Sequence, residues 1–153
     1  MSIKPYEKFG SRSFVPSGVA NANGSGEGDI LFYGGTTVAA GKIYYLDETE
    51  GTTSWIVADA DILAASSYLL AIAMGSGTAS TVGMMLRGVV AHSQVNGTNS
   101  NGKPVYLSAN GGSVTSTAPT ESGEYVRIIG YQLASLRMWF SPDNSYVLIG
   151  EGE

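Results

Sequence analysis

Apolar positions along this chain come in short runs separated by glycine, asparagine and hydroxyl residues: 30–33, 43–46, 54–57, 69–74, 82–91, 104–107, 125–133, 138–140 and 146–149. Runs of this length, bounded by turn residues, predict strands rather than helices. Asn-Gly pairs at 96–97, 101–102 and 110–111 predict turn tips, because tight hairpin turns need the positive φ angles these residues tolerate. Asn110-Gly111-Gly112 is the clearest hairpin signal. Only 59–68 reads as helical, with Asp59 or Asp61 as the expected cap of a short apolar turn through Ile62, Leu63 and Ala65.

One segment occurs twice. Gly41-Lys42-Ile43-Tyr44-Tyr45-Leu46 returns as Gly102-Lys103-Pro104-Val105-Tyr106-Leu107, each copy after a turn-rich stretch and before a further apolar strand, 69–74 or 126–133. The chain therefore reads as two β units. The expected fold is all-β, a compact small barrel or jelly-roll-like sandwich of about nine short strands with an extended N-terminal arm.

Composition agrees with short strands and tight turns, with 21 glycines and 9 tyrosines among 153 residues. With no cysteine, stability has to come from packing or association, and neither a disulfide nor a thiolate metal site is possible. The net charge of −5 argues against a nucleic-acid partner, whose phosphates call for a basic face. Residues 62–86 carry no charge, but Gly75-Ser76-Gly77-Thr78 interrupts them, so no membrane span is expected. The N-terminus lacks the apolar core of a secretory signal, which makes the cytoplasm the expected place of synthesis.

Charge divides the chain near Gly28. Residues 1–28 sum to +1 and the remainder, 29–153, to −6. The first segment is expected to be an arm that leaves its own domain to touch a partner. Its aromatic anchors would be Tyr6, Phe9 and Phe14, and its basic contacts Lys4, Lys8 and Arg12.

Catalytic chemistry has little to build on. His92, the only histidine, follows the apolar Val89-Val90-Ala91 and precedes the polar Ser93-Gln94, which describes a strand end, and it reads as structural. The acidic groups Asp47, Glu48, Glu50 and Asp59, Asp61 match no calcium loop, and alternate aspartates more often cap a helix or face solvent. The run from Gly75 to Ser80 has serine where a dinucleotide fingerprint needs its third glycine. Asn23-Gly24-Ser25 and Asn96-Gly97-Thr98 fit a glycosylation pattern but read as turns. No enzyme activity, cofactor or metal is expected.

From Thr36 to Asp143, about 70% of the chain, the order of short motifs resembles the compact β modules of tailed-bacteriophage virion proteins, including capsid decoration (cement) proteins and some tail-fibre segments. The motifs are Ala40-Gly41-Lys42 with Tyr45, Trp55 with Ala58-Asp59-Ala60, Leu70 to Gly75, Val82 to Gly88, Gly102 to Ser108, Ala118-Pro119, Val126 to Tyr131, and Trp139-Phe140 with Pro142-Asp143. The resemblance implies a non-enzymatic virion part, usually a homotrimer. A decoration protein would bind the major capsid protein on the outer surface of the head. The tail-side alternative, an adhesin for a host receptor or glycan, would use exposed tyrosines and the loop 93–101. A small β-barrel enzyme would need converging buried carboxylates.

Overall fold

The computed structural model describes residues 14–150. The fold is mostly β, 41% strand and 9% helix, built on a strongly curled antiparallel sheet that forms a half-barrel. In chain order the elements are β1 (Gly26–Leu31), β2 (Thr37–Val38), β3 (Ile43–Thr49), β4 (Thr52–Val57), α1 (Leu63–Ser67), β5 (Leu70–Ala73), β6 (Gly77–Thr78), α2 (Ala79–Val82) and β7 (Met84–Ala91). There follow β8 (Pro104–Leu107), β9 (Val114–Thr115), β10 (Tyr125–Val126), β11 (Ile128–Ala134), β12 (Arg137–Phe140) and β13 (Val147–Leu148). Each of the nine apolar runs meets a strand. The short β2, β6 and β9 carry no run long enough to announce them.

The main sheet runs β4-β3-β5-β7-β12-β11-β8-β9, with β1 added on β7. That order is a palindrome of two units. In each, the first strand (β3 or β8) forms a hairpin outward with the second (β4 or β9) and pairs inward with the third (β5 or β11), and the fourth strands β7 and β12 meet in the middle.

The repeated Gly-Lys segment has matching hydrogen bonds in both units. Gly41 N–H donates to Ala73 O, Ala73 N–H to Lys42 O, and Lys42 N–H to Ala39 O. In the second unit Gly102 N–H donates to Gln132 O, Gln132 N–H to Lys103 O, and Lys103 N–H to Ser100 O. Gly41 and Gly102 carry φ angles of 78° and 82°, the left-handed turn that glycine adopts without a Cβ clash. The side-chain faces are not repeated. Ile43 and Tyr45 of β3 enter the main core, whereas β8 turns in Val105 and Leu107, the opposite face of the aligned segment.

β7 joins the two units. β1 pairs it from Met84 to Val90, so β5 and β12 share its other edge, β5 at Met84-Met85 and β12 from Gly88 to Ala91. The register slips at Leu86, between the pairs Asp29–Arg87 and Ile30–Met85, and this bulge lets Met85 and Val90, five residues apart, both face the main core. Beyond the bulge Gly28 and Gly88 face each other. A Cβ on Gly88 would strike the Glu27 carbonyl, and one on Gly28 the Arg87 carbonyl. The glycines of 21–28, read from composition as an arm, therefore serve in part to let β1 approach β7.

The main core lies in the curl of the sheet, around Ile43, Ile72, Met85, Leu107, Ile129 and Phe140. A second layer covers the outer face of the first unit, where Tyr44, Trp55, Ala71, Ala73 and Met84 pack under Val38 and Ala79. Trp55 fixes that cover: its Nε1–H donates to Tyr33 O at 2.8 Å and its N–H to Thr36 Oγ1 at 3.0 Å. A third, smaller layer of Val19, Val89 and Ala91, with Phe14 and Trp139 packed against it, covers the junction of β7 and β12, where the units meet.

Two local expectations change. The short helix exists, but neither aspartate caps it: Ile62 stands at the N-cap without a side-chain bond, and Asp59 Oδ1 accepts the Asp61 N–H at 2.8 Å in a local turn. Of the three Asn-Gly pairs, only Gly102 carries the positive φ itself; in the other two turns Asn99 and Gly112 take it.

Candidate functional site

Of the six predicted arm contacts, Lys4, Tyr6, Lys8, Phe9 and Arg12 lie outside the described residues. Phe14 is described, and it is held by its own chain. Its ring meets Trp139 edge to face with centroids 5.6 Å apart. Arg137 fastens the segment that follows: Nε donates to Pro16 O at 2.8 Å and Nη2 to Val19 O at 2.6 Å. The Arg87 guanidinium also lies over the indole, 5.3 Å from the centre of the Trp139 ring. Residues 14–19 are thus part of the outer face of the second unit, and any free arm begins before Phe14. Charge sign and glycine-rich composition put that boundary near Gly28, because a docked segment and a detached one have the same composition.

His92 is 4% exposed and fully engaged. Its Nε2 lies 2.9 Å from Gly41 O and its Nδ1 accepts the Gln94 N–H at 3.2 Å. A carbonyl at Nε2 and an amide donor at Nδ1 fit one species, the neutral ring protonated on Nε2. Burial pushes its pKa down and the Gly41 carbonyl opposes this. The histidine ties the end of β7 to the repeated Gly-Lys turn and presents no free nitrogen.

Of the acidic groups, Asp47 and Asp59 accept local hydrogen bonds. Asp47 accepts the Glu48 N–H at 2.8 Å at the β3–β4 turn, where Glu50 adopts φ 52°. Burial raises the pKa of Asp59, as does the Asp61 charge, while the Asp61 N–H pulls it down. Among the described residues, no three histidine, aspartate or glutamate side chains come together as metal ligands do.

Two clefts hold side chains that sequence reading did not single out, both polar residues inside the 125–133 apolar run. Gln132 is 2% exposed at the base of a cleft of about 580 Å³ formed by Asn96, Thr98, Asn99, Asn101 and Ser135. Its Nε2 donates to Gly97 O at 2.9 Å and to Asn101 Oδ1 at 3.1 Å. The Gly97 carbonyl fixes which end of the amide carries the nitrogen, and Oε1 is left buried without a protein partner. Gln132 faces inward because the second unit turns the opposite face to the core; its counterpart in the repeated frame, Ala73, faces the outer layer.

Arg127, 5% exposed, stands between β10 and β11. Its Nε donates to Asp143 O at 2.8 Å, and its Nη1 to Ala65 O at 3.2 Å and Tyr68 O at 3.1 Å. It thereby joins the end of α1 to the 141–144 loop and lines a cleft of about 420 Å³. Burial pushes its pKa down and the Asp143 charge opposes this. A charged residue flanked by Val126 and Ile128 is the signal that marks it in sequence.

Comparison of the chain with protein-family models, curated proteins and solved structures finds no match.

Proposed function

We propose that this chain is a non-enzymatic virion structural protein, a capsid decoration (cement) protein that binds the outer surface of the head as a homotrimer and has the major capsid protein as its partner. The observation that carries this reading is the fastening of residues 14–19 to the outer face by Trp139 and Arg137. Residues 1–13 then start from a fixed point, and an extended chain of that length reaches about 40 Å. Tyr6 and Phe9 supply apolar contact area, and Lys4, Lys8 and Arg12 meet acidic partners. Three weakly binding arms on one trimer raise one another's effective concentration, so avidity exceeds the affinity of a single arm by about 100-fold or more. Removing residues 2–13 tests this. The truncated protein should fold as before, because Phe14 and Pro16 remain in place, and lose capsid binding in co-sedimentation; retained binding sinks the arm.

A second reading, the tail-side adhesin, has one observation in its favour. The 93–101 loop, expected to carry such a function, forms the neutral, amide-lined cleft over the unpaired Gln132 Oε1. Cell or glycan binding lost in Gln132→Leu, with no binding to capsids, would favour it.

A further inference from the structure

We infer that the Arg127 cleft is a binding site for a carboxylate group carried on an apolar stem. A guanidinium has five N–H donors, and the fold uses three of them, one on Nε and two on Nη1. Among the described residues neither Nη2 donor has a protein acceptor, and Nη2 belongs to the small part of this 5% exposed residue that solvent still reaches. The three carbonyls orient the group, and the Asp143 charge favours its protonated form from beyond direct contact. Asp143 offers its backbone oxygen to Nε, while its carboxylate accepts the Asn144 N–H at 2.8 Å; among the described residues no carboxylate forms a direct ion pair with Arg127. Buried charges in folded proteins are ordinarily paired, because an unpaired one bears the desolvation cost without return. A strut between α1 and the 141–144 loop needs only Nε and Nη1, which leaves Nη2 in contact with solvent in the cleft and open to a ligand.

The cleft defines the rest of the ligand. Tyr68 and Leu69 are 45% and 46% exposed and, with Leu86 and Pro142, give the space beside the guanidinium an apolar side, while Ser67 and Asn144 make the rest of the lining polar. Its volume of about 420 Å³ falls in the range of small-ligand pockets. One cation beside aliphatic and aromatic walls suits a singly charged carboxylate with a short branched stem better than a phosphate, which calls for several donors at once. Such a carboxylate has two sources, a free branched-chain acid or a glutamate side chain presented by a polypeptide. The site is independent of the arm, and the inference does not rest on the capsid reading.

NMR titration of the full chain tests it, with isovalerate as the probe, isovaleramide as its neutral counterpart, and a capped peptide bearing one glutamate between leucines for the second source. The Arg127 Nε–H and the Tyr68 and Leu69 amides should shift saturably with isovalerate and stay in place with the amide. Leu69→Ala keeps the charge and changes only an exposed wall, and should weaken binding about threefold or more. Arg127→Lys should weaken it about tenfold or more. Shifts with the peptide and not with isovalerate also support the site and assign it to a polypeptide carboxylate. Equal shifts with isovalerate and isovaleramide, or none with either isovalerate or the peptide, overturn it.

Discussion

The two units of the sheet share a hydrogen-bond frame and differ in almost everything built on it. In the first, β3, β4 and β5 turn apolar side chains to both faces: Ile43, Tyr45 and Ile72 inward, and Tyr44, Trp55 and Ala73 outward under a cover fixed by Trp55. In the second, β8, β9, β11 and β12 present the opposite face of the repeated segment to the core and bury Arg127 and Gln132 beside it. Tyr131 and Leu133 stay exposed on β11, and the outer face of β12 holds residues 14–19 through Arg137 and Trp139. The backbone repeat fixes where strands lie, and a shift of one residue in the inward face decides what they carry. The Gln132 cleft lies on the second unit, and the Arg127 cleft opens between the two, its guanidinium from the second and the walls Tyr68, Leu69 and Leu86 from the first.

This division is open to attack at several points. Trp55→Ala removes the keystone of the outer layer of the first unit, 2% exposed, and should cost about 3–5 kcal/mol in urea unfolding. A loss under about 1 kcal/mol would mean that the cover contributes little. Gly88→Ala strikes the strand both units share, adding a Cβ against the Glu27 carbonyl at a φ of 152°, and should cost about 2–3 kcal/mol. Its unfolding should remain a single transition by fluorescence and circular dichroism; two separate transitions would show that the units fold independently. Arg137→Met removes the bonds to Pro16 O and Val19 O and should cost about 1–2 kcal/mol while making 14–19 susceptible to protease. Unchanged cleavage there would place the fastening elsewhere.

The smallest effect is a pH dependence. The folded-state pKa of His92 lies below its ordinary 6.5, so the unfolded chain takes up the proton first. The stability His92 contributes is whole above the unfolded value, declines as pH falls below it by at most about 1.4 kcal/mol per unit, and levels off once the folded pKa is passed. His92→Gln should flatten that part of the stability profile; an unchanged slope would assign the effect to another group.

Much of the frame was legible in sequence. Apolar runs between turn residues gave the strands because a strand half buried in a sheet needs only a short apolar stretch, and the Gly-Lys repeat marked both turns that dock on β5 and β11. What is set by distant partners was not. The inward face of β8 depends on its pairing with β11, and the need for glycine at 28 and 88 appears only when β1 lies against β7. Asp59 looked like a helix cap because the same side chain can close a local turn, and it does. Arg127 and Gln132 are ordinary surface residue types whose burial no local pattern declares, although their place inside an apolar run is the trace they leave.

Co-sedimentation with capsids that lack this protein, together with its solution mass, tests the functional claim most directly. Saturable binding of a trimer at a fixed ratio to the shell protein is the predicted result. No binding to capsids, with binding to host cells in its place, would contradict it.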